Sequence, residues 1–213
     1  RKVHACASHL QQVNSGGVIN AVAYAVASHE ALQHAAGCDV LFCCAADPAA
    51  RLVVACLAVT HLRLLIDVGT GVFFGDGPWR HAGAEVRLVY PDNCIADLGG
   101  VAQFARAYNT LRHPRLPARP QTEWHQQRSG SLATLNHLAA GAAVQMLADA
   151  VCERITESTG QVIELGEDGV LRVTPLVVGR TPADDQPCFC RYRGAGDRGL
   201  SSDAMAQRGT GSA

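Results

Sequence analysis

The chain has 213 residues and a mass of 22.4 kDa, enough for one full core, and its 48% hydrophobic and 17% charged residues are those of an ordinary globular protein. A formal net charge of -1, with basic residues scattered rather than clustered, leaves no electrostatic reason to expect nucleic acid or an anionic membrane as partner. No run reaches the roughly 18 to 20 uninterrupted apolar residues of a membrane span, and the N-terminus lacks the basic-then-apolar design of a secretion signal, so a cytoplasmic location is expected.

Nine cysteines are an odd number, and Cys6, Cys43, Cys44, Cys56 and Cys152 sit in apolar runs, where a cysteine behaves as a small buried hydrophobe; reduced thiols are expected. The sequence opens on Arg1 in what reads as the interior of a helix, as a piece of a longer protein would. Val3, Cys6, Ala7 and Leu10 recur at helical spacing ahead of a stop at the NSGG of 14–17. Residues 18–22 predict a short strand, 28–36 a short helix capped by Ser28, and 40–44 a strand apolar on both faces. Residues 49–62 predict a helix with Leu52, Val53, Cys56, Leu57 and Thr60 along one side, and Leu64, Leu65 and Ile66 the next buried strand.

Helices alternating with wholly apolar strands imply βαβ units, hence an α/β fold with a largely parallel sheet flanked by helices. The Gly-rich stretch 69–83 reads as turn, and 85–90 alternates polar with apolar as an added, half-exposed antiparallel strand would. Residues 101–128, with Pro114, Pro117 and Pro120, read as a long irregular connection of the kind that carries function or moves. The longest helix is expected over 131–155, buried, because its many alanines and Gly141 allow close approach. A hairpin over 161–178 turning at the GEDG of 166–169 follows. Residues 1–178 form the expected domain, and 179–213 a cysteine-containing segment whose part beyond Cys190 is too poor in apolar residues to order itself.

An aspartate ends the apolar run CDVLFCCAADPAAR of 38–51. Asp47 followed by Pro48 is the N-cap and first-turn pair that starts a helix. The carboxyl edge of a parallel sheet is also where open α/β folds bind ligands, and a carboxylate there can hold a metal bound to phosphates. Both readings stand at this point.

The segment GCDVLFCCAADPAARLVVACLAV resembles the adenylation domain of the ThiF/MoeB and ubiquitin-activating-enzyme superfamily, in which an apolar strand leads to an aspartate, usually an asparagine, and an arginine on the following helix. Asp47 and Arg51 are the counterparts. Their spacing is one residue short of the usual form, so a gapless register on Arg51 puts Ala46 at the aspartate position and Asp47 on the asparagine. Upstream, RKVHACASHLQQVN is similar to the family's lysine-headed helix, with Lys2 on its ATP-contacting lysine. Downstream, LLIDVGTGV, GAEVRLVYPDNCIADLGG and SGSLATLNHLAAGAAVQMLADAV resemble, in order, the following strand, the strand leading to the first cysteine pair, and the closing helix. The resemblance spans roughly residues 2–190 and corresponds to the C-terminal two-thirds of the domain. The family's first βαβ unit, with its glycine loop, has no counterpart, and Gly69, Gly71 and Gly75 have the wrong spacing to replace it.

The resemblance implies a Rossmann-like domain that adenylates the C-terminal carboxylate of a ubiquitin-like or sulfur-carrier protein, working as a homodimer or heterodimer. ATP and Mg²⁺ are implied, with Asp47 on Mg²⁺, Lys2 on the phosphates and Arg51 holding the acidic turn. A structural Zn²⁺ on two cysteine pairs is also implied, here degenerate as Cys94 with Asp97 and Cys188 with Cys190; zinc accepts an aspartate oxygen. No cysteine is assigned to thioester chemistry, since the acidic Asp92 and Asp97 beside Cys94 disfavour its thiolate. His61, His113, His125 and His137 show no metal-ligand spacing. The alternative function is a non-catalytic partner subunit that keeps the fold and dimer surface without ATP chemistry. A nicotinamide-dependent oxidoreductase would need the glycine fingerprint that is absent.

Overall fold

The computed structural model describes residues 1–74, 80–98, 132–166, 168–176 and 189–196. The chain divides into two compact units, Arg1–Cys38 and Asp39–Ala213. The expected connection over 101–128, all of 179–188, the tail beyond 196, and Gly75, His113, His125 and Cys188 lie outside the described residues.

The N-terminal unit holds α1 (Lys2–Val13) and α2 (His29–Ala36). Each has the expected end: the Asn14 N–H donates to the Leu10 carbonyl at 2.8 Å, and Ser28 Oγ accepts from the Ala31 N–H at 3.2 Å. Neither helix buries a residue. The strand expected over 18–22 does not form; Val18 is 90% exposed. A strand needs a ladder partner for its backbone, and this unit contains no other strand.

The larger unit is built on a five-stranded mixed sheet in the order β1-β2-β3-β4-β5. Its first step is β1 (Val40–Cys43), α3 (Pro48–His61) and β2 (Leu64–Phe74), with β1 and β2 parallel, since the return through a helix restores the strand direction. β3 (Arg80–Val89), β4 (Thr159–Leu165) and β5 (Leu171–Pro175) then pair antiparallel, each with the strand before it. The largely parallel sheet expected from the sequence is therefore one parallel pair and three antiparallel ones. The cause is the stretch 69–83: Gly69, Gly71 and Gly83 lie inside paired strands rather than in a turn, so β2 runs on and meets β3 as a hairpin partner.

Strand alternation sorts the sheet's two faces. Ile66, Val72, Ala82, Ala84, Val86, Leu88 and Ile163 pack with Leu135, Ala139, Ala143 and Met146 of α4 (Ala133–Val151). Leu65, Asp67 and Gly69, with their cross-strand partners Val89, Arg87 and Glu85, face the other way, toward α3. α3 buries Leu52, Val53, Cys56, Leu57 and Thr60 as its pattern requires. β1 is an edge strand, buried at Leu41 and Cys43 but open at Phe42, 45% exposed, so it is not apolar and covered on both faces as expected. α4 is likewise buried along one stripe only; Leu138, Val144 and Val151 are 44%, 60% and 74% exposed.

The hairpin turn falls at the predicted tetrapeptide: Gly169 takes φ +73°, which its missing Cβ permits, and the Gly166 N–H donates to the Val170 carbonyl at 3.0 Å. Among the described residues no helix is long and apolar enough to cross a membrane.

Candidate functional site

Asp47 stands where β1 has ended and α3 begins, and its side chain is exposed. Oδ1 accepts the Ala49 N–H at 3.3 Å and Oδ2 the Ala50 N–H at 3.2 Å, with Pro48 next in the first turn. A carboxylate has about four lone-pair directions, so these two bonds leave room for a cation on its solvent side. A single carboxylate is also what Mg²⁺ uses when phosphates and waters complete its shell. Lys2 belongs to the N-terminal unit, on the exposed first turn of α1.

Arg51 lies one turn into α3, and its guanidinium does not turn to Asp47. Nε donates to Asp67 Oδ1 at 3.0 Å and Nη2 to Asp67 Oδ2. Burial works against the Arg51 charge, but the Asp67 carboxylate outweighs it and moves the group's pKa upward. Asp67, fully buried in β2, also takes Arg87 Nη1 at 3.4 Å, while Arg87 Nη2 donates to Glu85 at 2.6 Å and its Nε to the Leu98 carbonyl at 3.2 Å. Gly69 makes this possible: a Cβ there would stand 2.7 Å from Arg51 Nη1. The network was not foreseen in the sequence, although a lone aspartate in the apolar LLID and a lone arginine in EVRLV are the signal, since buried charges are paired ones.

Cys43 and Cys44 flank the same strand end without being activated. Burial pushes the Cys43 thiol up to about 11 and raises that of Cys44, while burial in α3 takes Cys56 to about 12. Nucleophilic chemistry, which needs the thiolate, is disfavoured at all three.

A second constellation forms below β3. The Cys94 Sγ, an Asp97 carboxylate oxygen and the Cys190 Sγ lie within 4.8 Å of one another. Cys94 opens a tight turn: its N–H donates to Asp97 Oδ2 at 2.9 Å, the Asp97 N–H donates to the Cys94 carbonyl at 2.9 Å, and a 3₁₀ turn covers Ile95–Leu98. Cys190 arrives on a second 3₁₀ turn, Phe189–Tyr192. That segment is pinned from both sides, by Arg193 donating to the Asp92 carbonyl and by the Gly194 N–H donating to the Val59 carbonyl of α3 at 3.2 Å. Two thiols and a carboxylate are donor groups of the kind Zn²⁺ accepts, so the three could hold a metal ion. Three of the four residues expected for this site are thus brought together, and the fourth, Cys188, lies outside the described residues. His137 plays no part in it; its Nδ1 lies 2.7 Å from the Ala133 carbonyl of its own helix.

A scan against protein-family models finds no match to the chain, and a search of curated proteins finds none either.

Proposed function

We propose that the chain belongs to an adenylyltransferase of the ThiF/MoeB and ubiquitin-activating type, acting on the C-terminal carboxylate of a ubiquitin-like or sulfur-carrier protein. The observation that carries the reading is the grouping of Cys94, Asp97 and Cys190, because the resemblance called for these residues as one metal site although Cys190 is remote in sequence from the other two. The β1–α3–β2 unit, with an exposed carboxylate between the end of β1 and the start of α3, supports the Rossmann-like part of the reading.

In this reaction the substrate carboxylate attacks the α-phosphorus of ATP and pyrophosphate leaves, so no enzyme nucleophile is required. What the protein supplies is alignment and neutralisation of charge. Asp47 would hold Mg²⁺, whose role is to neutralise the phosphate oxygens, and Lys2 would contact the phosphates. Arg51, committed to Asp67, holds the start of α3 in place rather than touching substrate. Cys94, Asp97 and Cys190, with Cys188, would hold a structural Zn²⁺. A homodimeric or heterodimeric cytoplasmic enzyme is part of the same proposal.

One observation favours a second reading, a partner subunit without ATP chemistry. Both Asp47 oxygens already serve as helix caps, and the gapless register leaves Ala46 where the family carries its aspartate. Exchange of labelled pyrophosphate into ATP separates the two. The complete native gene product, with a panel of ubiquitin-like and sulfur-carrier proteins, is expected to catalyse it; no exchange with any of them would favour the partner subunit.

A further inference from the structure

The turn that carries Cys94 and Asp97 ends at Leu98, which is 1% exposed, and the carbonyl of Leu98 accepts from Arg87 Nε. Arg87 is itself 4% exposed and cannot swing to water, because its other two nitrogens are engaged by Asp67 and Glu85. Asp67 is in turn held by Arg51 through two nitrogens, in space that Gly69 leaves open. A guanidinium fixed at three nitrogens presents its donor in one direction, which a flexible ammonium would not do.

We propose that Arg87 is the positioning residue of the metal-binding turn, setting the place of Cys94 and Asp97 through the Leu98 carbonyl, with Asp67, Glu85 and Arg51 holding Arg87 in register. The proposal rests on the metal reading above. Its physical basis is that outer partners orient the ligands of a metal site, and their loss weakens binding without removing a ligand. The Cys94 turn has its own internal bonds to Asp97, so it stays a turn when Arg87 changes. What it loses is its fixed distance from Cys190.

The test uses Arg87→Lys in the full chain, which keeps a cation against Asp67 but, with all its donors on one nitrogen, cannot span the three acceptors that the guanidinium reaches from Nε, Nη1 and Nη2. Apo protein is titrated with Co²⁺ and followed by the thiolate-to-cobalt absorption band. In parallel, alkylation of Cys94 by iodoacetamide is timed by peptide mass spectrometry, with Cys56 as internal reference. We expect Co²⁺ affinity to fall on the order of tenfold and Cys94, buried in the wild type, to be alkylated faster while Cys56 keeps its wild-type rate.

Unchanged Co²⁺ affinity and an unchanged Cys94 rate would overturn the proposal. So would equal acceleration of Cys94 and Cys56, which marks general unfolding rather than a displaced turn. If Arg87→Lys does not fold, Gly69→Ala takes its place, since the added methyl presses on Arg51 from the far end of the network, and the same outcomes decide. If the wild type binds no Co²⁺, the metal reading fails, and the alkylation contrast alone judges Arg87.

Discussion

At Asp47 the capping role is visible and the catalytic role is proposed, and two substitutions separate them. Asparagine keeps one acceptor oxygen for the first-turn N–H groups and caps a helix about as well as aspartate, whereas alanine has none, so Asp47→Ala should cost about 1 kcal/mol and Asp47→Asn close to nothing in urea unfolding. The buried thiols make a second prediction. Cys43 is raised from 9.0 to about 11 and Cys56 from 9.0 to about 12, in both cases by burial. The folded chain therefore keeps these protons when the unfolded chain has lost them. The stabilisation is complete below pH 9.0 and disappears as the pH rises through about 11 and then 12. At ~1.4 kcal/mol per pKa unit, Cys43 is worth on the order of 3 kcal/mol and Cys56 on the order of 4 kcal/mol. Unfolding free energies should fall steeply between pH 9.0 and 11, and Cys56→Ala should flatten that fall; an unaltered slope would mean that Cys56 titrates as it does in the unfolded chain.

Between elements, the network of Arg51, Asp67, Arg87 and Glu85 ties α3, β2, β3 and the Cys94 turn together. Removing its central carboxylate strands two arginines beside each other. Asp67→Ala should destabilise the protein by about 3–5 kcal/mol, and Arg51→Ala should cost much less in the Asp67→Ala background than alone, as a double-mutant cycle would show. This network also explains what was legible in the sequence. α3 could be read almost to the residue, because the Asp47–Pro48 start and the apolar period are local signals. The extension of β2 through Gly69 could not, because that glycine answers to a guanidinium from another element, and a local reading takes glycine for a turn. The strand expected over 18–22 failed for the complementary reason: an apolar run makes a strand only where a ladder partner exists.

Across the whole molecule, the sheet turned out mixed because parallel pairing depends on which strands meet, and apolar strand composition does not reveal that; the nearness of Cys94, Asp97 and Cys190 was expected only through the resemblance, because their spacing in the sequence carries no metal-ligand pattern of its own. Elemental analysis of protein purified without chelator should find zinc, and Asp97→Ala should lower its retention on dialysis; retention unaffected by the substitution would remove Asp97 from the ligand set. The adenylation reading itself is tested most directly by ATP–pyrophosphate exchange of the Asp47→Asn gene product, measured beside its melting temperature. The substitution keeps the helix cap and removes the charge assigned to Mg²⁺, so the account predicts an unchanged melting temperature with exchange reduced on the order of a hundredfold. Full exchange in Asp47→Asn would leave Asp47 a helix cap and nothing more, and would contradict the site proposed here.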